Sequence, residues 1–212
     1  MTGRGSLRGT PGARLVPMRI RPKADSDEPG CLALLLAVHR TDGYPRYLPD
    51  DALRFITPPY ESAAWVAEEN GEIVGHVGLH NAAADPTFNA AQRATGLGAD
   101  QLAVVARLLV APLARRAGLG RALLETATSH ARLKGQRAVL DVVQDAAAPI
   151  ALYEATGWTR LEPLALDFKD GTSLDLWVYL GPERKVRAVS DRQLGITDSP
   201  RPPNVRSPKA DP

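Results

Sequence analysis

Arg115-Arg116-Ala117-Gly118-Leu119-Gly120-Arg121 stands between a nearly continuous apolar run, residues 102–110, and an amphipathic stretch, residues 118–134. The apolar run reads as a central strand buried on both faces, and Leu119, Ala122, Leu123, Ala127 and Leu133 recur at helical spacing. Glycines at a strand-to-helix junction let the backbone approach a ligand closely. The free N–H groups of the first helical turn then favour an anion such as a pyrophosphate. Dinucleotide and triphosphate loops use the same physics, so spacing has to discriminate between them. A G-x-G-x-x-G fingerprint needs glycine where Leu123 stands, and a P-loop needs Lys and Ser/Thr where the chain has Arg121-Ala122. Taken in isolation, the two glycines read as a Gly-rich connection without a ligand.

Working outward, Gly135 ends the helix, residues 137–143 form a second buried strand, and residues 147–156 form a helix closed by Gly157. Two hairpins flank this βαβα core. Residues 63–68 and 72–80 meet at Asn70-Gly71, and residues 161–168 and 173–180 meet at Asp170-Gly171, dipeptides that tolerate the positive φ of tight turns. Upstream, residues 18–21 read as a short strand. Asp27, Glu28 and Pro29 start a helix over residues 29–40, with Asp27 as its cap. A polar, aromatic break from Asp42 to Pro49 leads to a short helix at residues 50–55. The fold class is α/β, with a mixed sheet antiparallel at both ends and parallel in the middle.

With 212 residues, 44% hydrophobic and 24% charged, the chain suits one soluble domain with tails. The longest apolar run is Cys31 to Val38, too short for a bilayer, which needs about 20 residues. Cys31 is the sole cysteine, so no internal disulfide forms, and its apolar surroundings predict a buried, inert thiol in a cytoplasmic protein. Bases exceed acids by two overall, but the excess lies in the ends: between Met18 and Gly181 acids outnumber bases by four. A basic stripe for nucleic acid is therefore not expected on the folded body, and only the basic ends could hold a polyanion. Residues 1–17 and the Pro-rich residues 182–212 are expected to be disordered, leaving residues 18–181 as the domain and Met18 as an alternative start.

Two segments in the right order carry a resemblance. Leu108-Leu109-Val110-Ala111-Pro112 leads into Arg115-x-x-Gly118-x-Gly120, and Ile150-Ala151-Leu152-Tyr153-Glu154-Ala155-Thr156-Gly157-Trp158 follows after a helix and a strand. Together they resemble the GNAT superfamily of N-acetyltransferases over about residues 18–181. The first matches the family's Q/R-x-x-G-x-G/A loop and the second its L-Y-E-x-x-G-F motif.

The resemblance implies a GNAT-like sheet with a central splayed parallel pair flanked by helices. It implies transfer of an acetyl group from acetyl-coenzyme A to a primary amine, by direct attack through a tetrahedral intermediate and without a metal. Main-chain groups of Arg115, Arg116, Ala117, Gly118, Leu119, Gly120 and Arg121 would hold the pyrophosphate. Leu108, Leu109 and Val110 would pair with pantetheine like an added strand, and an N–H there would face the oxyanion. Tyr153 would act as general acid toward the leaving thiolate; without the motif it would read as a core tyrosine. Binding of an acyl-coenzyme A without turnover is the alternative.

Two departures stand out. The strand over residues 102–109 has no carboxylate where many relatives carry a glutamate base, and Gln144-Asp145-Ala146-Ala147-Ala148-Pro149 replaces the usual asparagine before the second motif. His80 is the candidate base because imidazole titrates near neutrality, set against a solvated strand-end histidine. His76 shares its face, but four strand residues separate the two by about 13 Å, too far for one zinc. His39 and His130 read as surface or satisfied residues. Asp141 is a further acid beside the expected cleft, with a structural hydrogen bond as the equal alternative. Tyr44, Arg46, Tyr47, Asp50 and Asp51, with Trp177 and Tyr179 opposite, could receive a small-molecule or peptide amine. No membrane partner is expected, and a homodimer stays open.

Overall fold

The computed structural model describes residues 18–168 and 171–183. Residues 1–17, most of the 182–212 segment and part of the Asp170-Gly171 turn lie outside the described residues. The elements in chain order are β1 (Arg19–Pro22), α1 (Glu28–Asp42), α2 (Ala52–Ile56), β2 (Glu61–Glu69), β3 (Glu72–Asn81), α3 (Thr87–Thr95), β4 (Leu102–Val110), α4 (Leu119–Leu133), β5 (Arg137–Val143), α5 (Ala147–Ala155), β6 (Thr159–Asp167) and β7 (Ser173–Leu180). One seven-stranded sheet has the order β1-β2-β3-β4-β5-β7-β6. Only β4 and β5 run parallel, and every other neighbouring pair is antiparallel. This is the mixed sheet the sequence implies.

The first hairpin turns where the dipeptide predicts, with Asn70 at φ 52° and Gly71 at φ 84°. Asp27 stands at the start of α1, but its carboxylate does not cap the helix. It accepts instead from the Arg21 guanidinium and the Ala24 N–H, tying β1 to the helix start. Arg21 also holds Glu68 on β2.

Helices cover both faces of the sheet. On one, Leu119, Leu123, Leu124, Ala127 and Ala131 of α4 bury against Val77, Leu79, Val105, Leu140 and Val142. Each large side chain so buried contributes about 1.5–3 kcal/mol. On the other, Cys31, Leu34, Leu35 and Val38 of α1 cover Val66 and Leu109. Cys31 is fully buried, and burial raises its thiol to about 11.

Residues 82–101, which carry no element in the sequence reading, hold α3. Ala91 and its neighbour Phe88 pack with Ala82, Leu102, Val104, Val139 and Leu180 on the face that α1 leaves uncovered. Gly96 closes the helix in the left-handed region.

Candidate functional site

β4 and β5 pair only at Leu102↔Arg137, Ala103↔Ala138 and Val104↔Val139. Both strands continue, to Val110 and Val143, so they part beyond that point and leave a V-shaped gap. The cause lies on β4. Its register with β3 slips between His76↔Leu109 and Gly78↔Ala106, and Arg107 at this bulge takes φ 54°. The Arg107 guanidinium lies 3.5 Å over the Phe55 ring and donates through Nε to the Phe55 carbonyl, which fixes the strained residue against α2.

Past the bulge, Ala111 N–H donates to Val74 O at 2.8 Å, toward β3. Strand alternation then turns the main-chain groups of Leu108 and Val110 into the gap. The Val110 carbonyl is taken, however, by Arg115 Nε at 3.1 Å, and the same guanidinium grips the Asp42 carboxylate at the end of α1. Arg115 therefore braces the strand end with its side chain. Leu109 is turned away, buried under α1.

The loop into α4 twists through two left-handed residues, Arg116 at φ 65° and Gly118 at φ 82°. Gly118 is the N-cap, and the first bond of the helix runs from Ala122 N–H to Gly118 O at 3.0 Å. The amides of Leu119, Gly120 and Arg121 are thus left without intrahelical partners. Leu119 points its side chain into the core, whereas Arg116, Ala117 and Arg121 are exposed. A Cβ on Gly120 would lie 3.6 Å from Leu152 of α5 and 3.7 Å from Val110 of β4. The protein alone has room for that atom, so glycine here keeps open the mouth of the gap. Bare amides, flanking guanidiniums and this cradle fit the diphosphate and the chain that would follow it.

Tyr153 projects from α5 into this region, 7% exposed, its ring 6.0 Å from that of Trp158 and 5.9 Å from that of Tyr179. Burial pushes its hydroxyl above the ordinary tyrosine range, and Tyr44 and Asp141 add to the shift. Tyr44 belongs to the α1–α2 loop and Asp141 to β5, so the hydroxyl lies within electrostatic reach of both.

The α1 face of the gap is polar. Asp141 stands two residues beyond Val139, the last paired residue of β5. Its Oδ1 accepts from Thr87 Oγ1 at 2.9 Å, and the Thr87 N–H donates to Asp85 Oδ1 at 3.0 Å. Asp85 Oδ2 lies 3.7 Å from His80 Nδ1, and Tyr60 closes edge-on over the His80 ring at 5.0 Å. Burial, then the neighbouring Asp85 charge, raises the Asp141 carboxyl. Burial also acts to raise Asp85, but His80 and Thr87 outweigh it and hold that acid low. His80 is 1% exposed, which corrects the solvated strand-end alternative: residues 82–85 and Tyr60 fold over it. Among the described residues neither of its ring nitrogens has a hydrogen-bond partner, nor has Glu61 Oε2, which faces Gly78 beside His80. His76 donates from Nδ1 to Arg107 O, and burial lowers it to about 4, so it is neutral at physiological pH.

The other sequence candidates disperse. Tyr44 is half-buried against α1, and the Tyr47 ring packs at a tilt against Phe168 of the last hairpin, centroids 4.9 Å apart. Arg46 pairs with Asp145 before α5, so the loop after α1 bridges the gap at two points. Asp50 is exposed, but Asp51 accepts from Arg54 N–H as the cap of α2. Trp177 and Tyr179 belong to the α4 face. Tyr179 is fully buried and donates to Glu154, a core role that removes it from the acceptor side. His39 reaches Pro45 O, and His130 packs edge-on to Trp65. Asp85 and Thr87 went unnoticed in the sequence; the run Asp85-Pro86-Thr87, a helix-start signal, could have found them.

The model of the Acetyltransferase (GNAT) family matches residues 32–158. Solved structures share the fold. The ribosomal-protein-S18-alanine N-acetyltransferase of Escherichia coli is 20% identical at a TM-score of 0.57, covering 82% of this chain and 99% of its own. A putative acetyltransferase of Salmonella typhimurium, solved with its cofactor acetyl-CoA, is 22% identical at 0.57, covering 81% and 96%. The ribosomal-protein-alanine N-acetyltransferase of Brucella melitensis is 25% identical at 0.56, covering 76% and 98%. No curated protein matches the chain.

Proposed function

The chain belongs to the GNAT family of acetyltransferases, and from that premise we propose that it acetylates a primary amine by direct attack of the nitrogen on acetyl-coenzyme A. The observation that carries this reading is the left-handed helix start at Gly118, its amides bare, opening beside the splay of β4 and β5. When bound there, acetyl-coenzyme A supplies the activated acetyl group. The chain's own residues do the rest.

The amides of residues 119–121 grip the diphosphate, with Arg116 and Arg121 adding charge. The Leu108 main chain aligns the pantetheine arm. Its N–H faces the developing oxyanion, where a fixed donor costs no reorganisation. Arg115 acts at one remove, by bracing Val110 and Asp42. Tyr153, kept protonated by its burial, gives its proton to the leaving sulfur. His80 sits buried behind Asp85, so in place of the base expected of it from the sequence it acts at one remove, as a neighbour of that carboxylate, without touching the nitrogen. The setting is cytoplasmic, and among the described residues no helix is long and apolar enough to cross a membrane.

Thiol release with saturating acetyl-coenzyme A and a panel of primary amines tests the reading. The expected result is amine-dependent free thiol; coenzyme A binding with no thiol from any amine would leave an acyl-coenzyme A binding module in its place.

A further inference from the structure

Resting on the acetyl-transfer reading, we propose that Asp141, positioned by Thr87 and Asp85 of the β3–α3 corner, binds the acceptor's ammonium at the apex of the gap and takes its proton. β4 offers no carboxylate, yet the apex is not without one. Asp141 follows Val139 on the same face of β5, so its side chain stands where the strands part. It is half-buried, and burial raises its carboxyl above the ordinary carboxylate range. Oδ1 is held by the Thr87 hydroxyl, and Thr87 itself is fully buried, so the carboxylate has a fixed orientation. His80, fully buried and with both ring nitrogens unpartnered among the described residues, faces Asp85 from behind. The groups around Asp141 are Asp85 and Thr87 from the corner, Arg107 from β4 and Tyr153 from α5, with Tyr44 beyond. Two carboxylates against one cation make this end of the cleft a seat for a cationic amine.

The step balances. The alkylammonium gives one N–H proton to the Asp141 carboxylate, and the freed lone pair forms the C–N bond as the carbonyl π pair moves to oxygen. Collapse breaks C–S, the thiolate takes the Tyr153 proton, and the second nitrogen proton replaces it through solvent. One proton is released per turnover, from Asp141 to solvent at its exposed side.

The test uses the full chain and whichever of ethanolamine, 1,4-diaminobutane, alaninamide or an alanine-initiated peptide turns over fastest. Asp141→Asn keeps an acceptor for Thr87 and should lower kcat/KM at least 100-fold at pH 7, with coenzyme A affinity unchanged. The deficit should shrink above pH 9, where free amine is already present. Thr87→Val removes a bond that favours the ionised acid, so the ascending limb of the pH profile should move to higher pH. Asp85→Asn removes a like charge, so the limb should move to lower pH. A merely structural role would not shift the two in opposite directions. Activity of Asp141→Asn within threefold of wild type, or a loss equal at every pH, overturns the assignment while leaving acetyl transfer intact. Wild-type protein that binds acetyl-coenzyme A and yields no thiol with any amine overturns both.

Discussion

Replacing Tyr153 by Phe removes one oxygen and little else. The ring keeps its contacts with Trp158 and Tyr179, and the residue is 7% exposed in a continuous apolar cluster, so packing is conserved. The stability cost should stay below about 1 kcal/mol. The kinetic cost follows from the hydroxyl's position: burial, with Tyr44 and Asp141 beside it, keeps the proton on the oxygen throughout the usable pH range. A positioned acid of this kind contributes about 100- to 10,000-fold, or roughly 3–5 kcal/mol of barrier. Single-turnover mixing, with enzyme in excess of acetyl-coenzyme A and thiol read continuously, isolates the chemical step from product release. The variant should lose at least 100-fold in that step and bind acetyl-coenzyme A within threefold of wild type. The wild-type rate should show no descending limb below pH 10, because burial keeps Tyr153 from ionising there. An unchanged single-turnover rate, or a fall matched by an equal fall in affinity, would refute the general-acid role.

Gly120→Arg should weaken acetyl-coenzyme A at least 100-fold by calorimetry while leaving the circular dichroism unchanged, since a Cβ has room and the longer chain fills the gap mouth. Arg21 holds the Asp27 carboxyl at about 2, below its ordinary 3.8, so this contact stabilises the fold fully above about pH 4 and is lost as pH falls through 2. Asp27→Asn should therefore cost roughly 2 kcal/mol in urea unfolding at pH 7, with the difference closing toward pH 2. Cys31, buried and raised to about 11, should resist a thiol-reactive probe at pH 8 until denaturant is added. Rapid native labelling would contradict its packing under α1.

What could be read from the residues followed from local rules. Asn70-Gly71 announced its hairpin because positive φ restricts the choice of residue, and the apolar run at residues 102–110 announced a strand covered on both faces. The bulge at Arg107 left no such mark. Its positive φ falls on an arginine, held there by the Phe55 stacking and carbonyl bond and by the His76 hydrogen bond to its own carbonyl. α3 was missed because it is short and its buried residues, Thr87, Ala90 and Ala91, are small and include none of the large apolar side chains by which a core helix is read. That omission also misplaced His80. With no corner folding back over the end of β3, a polar strand terminus reads as solvated; the Ala82–Ala84 turn and Asp85 bury it. The loop glycines and the tyrosine could be read from a motif, whereas the partners of Asp141 depend on contacts between residues 54 positions apart.

The absence of a carboxylate on β4 has a physical counterpart in Arg107. Its guanidinium lies at the bulge, within reach of Asp141's charge and anchored over Phe55. An acid beside it on the same strand would pair with it directly, its ionised form would be stabilised, and its power to take a proton near neutral pH would fall. An acid across the gap on β5 escapes direct pairing. It then needs another group to fix its orientation, because that side of the cleft is open, and it needs a like charge nearby to keep its proton affinity up. Thr87 meets the first need and Asp85 the second, and both arrive on the segment between β3 and β4. On this reading the corner does more than cover apolar surface: its helix start delivers the hydroxyl, its approach delivers the charge, and its fold over β3 shuts His80 in behind them.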